Sequence, residues 1–146
     1  MRGEFLDING VRLYYYAAGS RGAGEPIVLL HGFPTSGHLW SGVAPLLPAG
    51  HRVVVLDLLG FGRSDPPSSH GVDIRAHADR LVAVLDHLGI NFACVVGHGV
   101  GGGIAQFFST PNTHLILLWV AAFIGATVGG AFSALVTRSN CGQAPL

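Results

Sequence analysis

The chain has 146 residues, enough for one domain with a hydrophobic core, and its eight acidic side chains balance its eight basic ones. This balance excludes the strongly basic surface typical of proteins that bind nucleic acid. Two cysteines are too few for a disulfide framework, and the N-terminal residues lack the apolar core of a signal peptide. A cytoplasmic location and no nucleic-acid partner are therefore expected.

The first predicted element in the chain is a β-hairpin. Two segments of strand-like composition, residues 5–8 and 11–16, flank the dipeptide Asn9-Gly10. Both residues of the dipeptide tolerate the positive φ angles that a two-residue hairpin turn requires. Two antiparallel strands are therefore expected near the N-terminus.

Three continuous apolar runs follow the hairpin, and helical patterns lie between them. The runs 27–30, 53–56 and 92–96 have the composition of strands buried on both faces of a parallel sheet. Apolar side chains recur at 3.6-residue spacing over 72–88, which predicts a helix, and a shorter helix is predicted over 38–47. The alternation predicts an α/β fold with a mainly parallel sheet and flanking helices.

Three distinctive segments begin where these predicted strands end. His31-Gly32-Phe33-Pro34 follows the first run, residues 57–65 follow the second, and Gly97-His98-Gly99-Val100-Gly101 follows the third. Parallel α/β sheets bind ligands beyond the carboxyl ends of their strands, so these segments hold the candidate functional residues. The third segment has the form of a nucleophile elbow, a sharp strand-to-helix turn that raises one side chain above the sheet.

In this order the three segments resemble the N-terminal half of the α/β-hydrolase fold, and within it the epoxide hydrolases and haloalkane dehalogenases, whose elbow reads Gly-His-Asp-Val-Gly-Gly. The resemblance implies a fold truncated before the cap domain and last strands, with a hydrolase half-domain over 1–120 and an apolar tail outside the family pattern over 121–146. It also implies a small-molecule substrate, such as an epoxide, haloalkane or ester, a covalent intermediate, and neither cofactor nor metal.

The resemblance assigns a role to individual residues. The backbone N–H groups of Phe33 and Val100 would form the oxyanion hole. The residues that would support the site are His31, Gly32, Pro34, Gly97, His98 and Gly101. Gly99 takes the nucleophile position and has no side chain, no acidic residue follows Asp86, and His114 is expected at the wrong end of the sheet. The resemblance therefore implies a catalytically impaired hydrolase.

Four side chains near these strand ends allow a second interpretation. His31 is interpreted as holding the oxyanion loop and His98 as a packing or hydrogen-bonding residue, with catalysis by either as the alternative. Asp57 and Arg63 either bind a substrate or form a structural pair that stabilises their loop.

A different class of function follows from Gly97, Gly99 and Gly102, which satisfy the dinucleotide fingerprint G-x-G-x-x-G after a strand. That interpretation requires an acidic residue at the end of the next strand to hold the ribose. The corresponding stretch, 118–122, contains none, and the fingerprint belongs in the first strand-helix unit rather than the third. A nucleotide-binding oxidoreductase is therefore the less favoured alternative.

The apolar segment 115–136 leaves several interpretations open. Its first part, 115–120, fits the next strand of the sheet, whereas the whole segment is long enough to cross a bilayer core of about 30 Å. A non-catalytic binding or interaction module is one alternative, and a protein attached to a membrane through this segment is a second. A frameshifted copy of a hydrolase is another. If the last strands are missing, an exposed strand edge predicts self-association.

Overall fold

The computed structural model describes residues 2–19, 24–67, 71–107 and 121–122. Its strands are β1 (Arg2–Ile8), β2 (Val11–Ala18), β3 (Ile27–Leu30), β4 (Val53–Leu56), β5 (Cys94–His98) and β6 (Ala121–Ala122). They form one sheet in the order β1-β2-β4-β3-β5-β6. The last four strands of that order are parallel, whereas β1 and β2 are antiparallel to their neighbours. The predicted α/β architecture is confirmed.

The hairpin forms at the predicted dipeptide. Asn9 has a φ of 52° and Gly10 a φ of 81°, and the register continues to the adjacent pair Ile8 and Val11. Two consecutive positive φ angles give the turn whose twist matches that of the flanking strands. This hairpin places β2 beside β4, at one side of the parallel strands.

Two helices pack on the sheet, α1 (Ile74–His87) and α2 (Val100–Phe107). The carboxylate of Asp73 accepts a backbone N–H from the first turn of α1, and Gly89 with a φ of 65° ends the helix. The prediction of a single helix over 38–47 is wrong, because this region forms two short 3₁₀ helices, Gly37–Trp40 and Ala44–Leu46. Glycine and proline, at positions 42 and 45, interrupt a continuous α-helix here.

The core lies on both faces of the sheet. The larger cluster includes side chains of the sheet and of both helices, such as Leu30, Leu56, Leu81 and Ile104. A smaller cluster around Leu29 and Val55 lies on the opposite face, beside the 3₁₀ helices. Strand β4 is buried along its whole length, as predicted, whereas β5 alternates between buried and half-buried residues. The prediction of burial on both faces is therefore wrong for β5.

Strand β6 pairs with the end of β5, since Gly97 lies opposite Ala121 and His98 opposite Ala122. The strand predicted over 115–120 falls outside the described residues, as does the rest of the candidate span 115–136 apart from residues 121–122, which form β6. Within the ranges that the structure describes, no helix is long and apolar enough to cross a membrane.

Candidate functional site

The turn between β5 and α2 has a strand-to-helix geometry with a left-handed residue at its apex. Strand β5 ends at His98, Gly99 has a φ of 57°, and α2 begins at Val100. Gly99 is exposed, and its carbonyl oxygen accepts the N–H of Gly103 at 3.2 Å. The predicted elbow is thus formed, and its apex carries no side chain.

Two further glycines let the backbone segments meet below this apex. A Cβ atom on Gly97 would overlap the backbone of Gly101. A Cβ atom on Gly101 would lie 2.7 Å from the carbonyl carbon of Leu30 and 2.8 Å from the carbonyl oxygen of His31. Both separations are far inside van der Waals contact, so α2 approaches β3 and β5 at a distance that only glycine allows.

The two predicted oxyanion donors follow adjacent parallel strands. Phe33 lies in the loop after β3, and Val100 is the first residue of α2 after β5. A Cβ atom on Gly99 would lie 3.4 Å from the Cα atom of Gly32, so the apex lies beside the Phe33 loop. Neither backbone N–H has an acceptor in the part of the chain that the structure describes. Such N–H groups are available to an oxyanion, and this role remains a prediction.

His31 is fully buried and bonded at both ring nitrogens. Its Nε2 atom accepts the N–H of Leu58 at 3.0 Å, so the proton is on Nδ1, which donates to the carbonyl oxygen of Gly32 at 2.9 Å. The imidazole therefore joins the loop after β3 to the loop after β4. Burial lowers the pKa of His31, because removal from water disfavours the charged ring. These contacts support the interpretation that His31 holds the Phe33 loop.

We expect acid to destabilise the fold partly through His31. Its pKa in the folded state lies below the ordinary value of 6.5, so the unfolded chain binds a proton first as the pH falls. The stability contributed by His31 is complete above about pH 6.5 and is lost as the pH falls below that value. Urea unfolding between about pH 8 and pH 5 checks this, and His31→Gln should show a shallower dependence. Identical pH dependences would contradict it. Burial also lowers the pKa of His77, so some dependence should remain.

Asp57 is buried and anchors two loops through its carboxylate. Oδ1 accepts the N–H of Gly37 at 2.6 Å, and Oδ2 accepts the backbone N–H of Arg63 at 2.9 Å. The carbonyl oxygen of Asp57 accepts the hydroxyl of Ser64 at 2.6 Å, and that hydroxyl accepts the N–H of Tyr14 at 2.9 Å. Since both carboxylate oxygens are engaged, the geometry favours the structural interpretation of Asp57.

Arg63 and Asp57 form a structural pair through the backbone N–H of Arg63, whereas the side chain of Arg63 bonds elsewhere. Its Nη1 atom donates to the hydroxyl of Tyr14 at 2.8 Å, and its Cζ atom lies 4.9 Å from the centre of that ring. This is a cation–π contact between residues 49 positions apart. Sequence reasoning missed it. The available signal was Tyr14 and Tyr16, which share one face of a predicted strand.

His98 contacts the backbone of the Phe33 loop. Its Nδ1 atom is buried and has no hydrogen-bond partner among the described residues. A Cβ atom on Gly32 would lie 3.0 Å from that nitrogen. The contact fits a packing residue, and Nδ1 is not accessible to a ligand.

Two surface clefts lie beside the loops after β3 and β4, and neither is lined by Phe33, Gly99 or Val100. One has a volume of about 590 Å³ and lies between residues of the segments 34–39 and 60–62. The other, here called the tyrosine cleft, has a volume of about 460 Å³. Its lining includes Tyr14, Tyr16, Ser36, His38, Asp57 and Arg63. Within the described ranges, no group of His, Cys, Asp and Glu side chains could hold a metal ion.

Two curated proteins are similar in sequence to this chain. A soluble epoxide hydrolase from Corynebacterium sp. (strain C12) is 40% identical over 109 residues, which cover 75% of this chain and 37% of the relative. The AB hydrolase superfamily protein YfhM from Bacillus subtilis (strain 168) is 38% identical over 117 residues, covering 77% of this chain and 40% of the relative. The chain thus spans less than half the length of these relatives.

Solved structures of two enzyme types have the same fold. The epoxide hydrolase CorEH, solved without ligand, is 36% identical with a TM-score of 0.71, and the match covers 90% of this chain and 46% of that one. The haloalkane dehalogenase DbeA from Bradyrhizobium elkani USDA94 is 27% identical with a TM-score of 0.71, over 80% of this chain and 40% of that one. Residues 25–112, more than half of the chain, match the family described as alpha/beta hydrolase fold. The protein therefore belongs to the α/β-hydrolase fold family.

Proposed function

We propose that this protein is a small-molecule hydrolase of the epoxide hydrolase, dehalogenase or esterase type whose catalysis is impaired at the elbow. The observation that carries the proposal is Gly99, an exposed residue with a φ of 57° at the apex between β5 and α2. In this type of reaction an apex side chain attacks the substrate and forms a covalent intermediate. Glycine provides no atom for that attack.

The surrounding residues support binding of a substrate without its turnover. The N–H groups of Phe33 and Val100 have no acceptor within the described ranges, so they are available to a polarised oxygen. The buried imidazole of His31 holds the loop that carries Phe33. In a complete enzyme, an oxyanion hole and substrate binding alone accelerate the reaction about 10³–10⁴-fold over its rate in water. We expect a smaller rate acceleration here.

Restoring a carboxylate with Gly99→Asp should restore the first chemical step without the full cycle. Among the described residues, a Cβ atom at this position meets only the Cα atom of Gly32, at 3.4 Å, so a side chain has space there. With styrene oxide, mass spectrometry should show one covalent adduct per chain. The adduct should persist, because His31 has both ring nitrogens bonded and Nδ1 of His98 is buried. These nitrogens are therefore not free to activate the water that would release the product.

The matched control is Gly99→Asn, which has the same shape and a neutral amide in place of the nucleophile. It should remain unmodified by styrene oxide. Gly99→Ser tests the esterase branch, and p-nitrophenyl acetate should give a product burst of no more than one equivalent per chain. Sustained turnover by either restored variant would contradict the impairment, and no adduct or burst in either would contradict the hydrolase proposal.

We also propose that this protein is cytoplasmic and that it self-associates through a strand edge. Strand β6 is the last strand of the sheet within the described residues, and unpaired strand edges are templates for a second chain. Light scattering on the full chain should therefore give a mass above that of a monomer. A monodisperse monomer would contradict the association, and recovery in salt-washed membranes would contradict the location.

A further inference from the structure

The guanidinium of Arg63 is oriented by β2 and β1. Its Nη1 atom donates to the Tyr14 hydroxyl at 2.8 Å, and the charge lies over the Tyr14 ring. The ring of Phe5 packs edge-on against Tyr14, with centroids 5.1 Å apart. A Cβ atom on Gly3 would lie 2.8 Å from the Cε2 atom of Tyr14 and would overlap its hydroxyl. The side chain of Tyr14 therefore crosses β1 at Gly3, where no side chain blocks it. Its contacts position Arg63 without a ligand.

The charge of Arg63 has no carboxylate partner among the described residues. The ion pair found there joins Arg12 to Asp65 at 3.2 Å. The other carboxylate near Arg63 belongs to Asp57, which is buried and accepts a backbone N–H at each oxygen. Nε and Nη2 of Arg63 have no acceptor in the described part of the chain, so the guanidinium keeps unused donors.

We propose that the tyrosine cleft binds an organic monocarboxylate. A planar guanidinium matches a carboxylate with two parallel hydrogen bonds. Asp57 also lines the cleft, and its charge opposes each negative charge on a ligand, so a monoanion is favoured over the more highly charged phosphate. The rings of Tyr14 and Tyr16 line the cleft and suit an apolar body, and about 460 Å³ falls within the usual range of ligand sites.

This site is separate from the elbow. Tyr14 lies on β2, which is three strands away from β5 in the sheet order β2-β4-β3-β5. At about 4.8 Å between neighbouring strands, β2 and β5 are roughly 14 Å apart, and Gly99 does not line the cleft. A carboxylate in the tyrosine cleft would therefore leave Gly99 accessible, and the inference does not depend on hydrolase activity.

The experiment is an NMR titration of the full ¹⁵N-labelled chain with benzoate. The signals to follow are the backbone N–H groups of Gly37 and Arg63, which bracket Asp57 at the cleft. We expect saturable shifts, weakened about tenfold or more in Arg63→Gln, since hydrogen bonds to charged groups are the strong ones. Arg75→Gln, which changes an exposed arginine on α1 outside the cleft, should bind as the wild type does.

Tyr14→Phe keeps the ring and removes the hydroxyl that orients the guanidinium, so it should weaken benzoate binding several-fold. If thermal melts show that Arg63→Gln is unfolded, Tyr14→Phe tests whether the oriented guanidinium binds benzoate. Unchanged affinity in the folded variants, or no saturable shift in the wild type, would overturn the proposal. Tighter binding of inorganic phosphate would overturn the carboxylate class. Benzoate shifts confined to Gly99 and Val100 would assign the ligand to the elbow instead.

Discussion

Gly101→Ala is expected to unfold the protein or to lower its free energy of unfolding by about 3 kcal/mol or more. The new Cβ atom would lie 2.7 Å from the carbonyl carbon of Leu30 and 2.8 Å from the carbonyl oxygen of His31. Those are backbone atoms at the end of a central strand, so no side-chain rotation relieves the overlap. Relief requires α2 to move away from β3, which would open the core around Ile104.

Gly102→Ala is the matched control, since it adds the same methyl group one residue later in α2. Its Cβ atom would lie 3.5 Å from the carbonyl oxygen of Gly97, an ordinary contact. Alanine also stabilises a helix interior by up to about 1 kcal/mol relative to glycine. Urea unfolding followed by circular dichroism should therefore show unchanged or slightly higher stability. Equal stability of the Gly101 and Gly102 variants would show that helix and strand do not approach as described.

Asp57→Ala is expected to cost about 2 to 5 kcal/mol of unfolding free energy. The carboxylate satisfies the N–H groups of Gly37 and Arg63, at 2.6 and 2.9 Å, in a buried position. Removing it leaves both donors without an acceptor; a buried unsatisfied donor costs about 1–3 kcal/mol, and the partly buried N–H of Arg63 lies toward the low end of that range. The loops after β3 and β4 should loosen together. Urea unfolding measures the loss, and hydrogen exchange at the two N–H groups should accelerate.

Two further variants make the Asp57 result specific. Asp57→Asn keeps one acceptor oxygen and replaces the other by an amide donor, so its stability should be intermediate. Asp79→Ala removes an exposed carboxylate on α1 and should change stability by less than about 0.5 kcal/mol. A similar loss in Asp57→Ala and Asp79→Ala would contradict the anchoring role.

Local features of this fold were predictable from the sequence. The hairpin depends on the conformational freedom of Asn9-Gly10, and the elbow on glycines at fixed offsets after an apolar run. Each of these turns is determined by residues that are adjacent in the chain, so the local sequence is enough to predict it. The helix expected over 38–47 failed for an equally local reason, because apolar spacing outweighed Gly42 and Pro45 in the prediction.

Features of the site that depend on distant contacts were not predictable in the same way. Arg63 follows Asp57 by six residues, which favours a structural pair, and the pair forms through the backbone N–H of Arg63, but this spacing does not predict where the guanidinium lies. The sheet instead brings Arg63 to Tyr14, 49 residues earlier in the chain, and leaves the Asp57 carboxylate for backbone donors. Register between β2 and β4 decides this arrangement, and no spacing within one segment encodes it.

The left-handed backbone at Gly99 implies a trade between stability and chemistry. Any side chain at a φ of 57° is strained, by roughly 1 kcal/mol or more for most residues. A hydrolase with a nucleophile at this apex carries that strain as a condition of its activity. Glycine carries no such strain, so this turn should be easier to form than that of a nucleophile-bearing version. At Gly99 the same missing side chain both withholds an attacking atom and relieves the left-handed backbone.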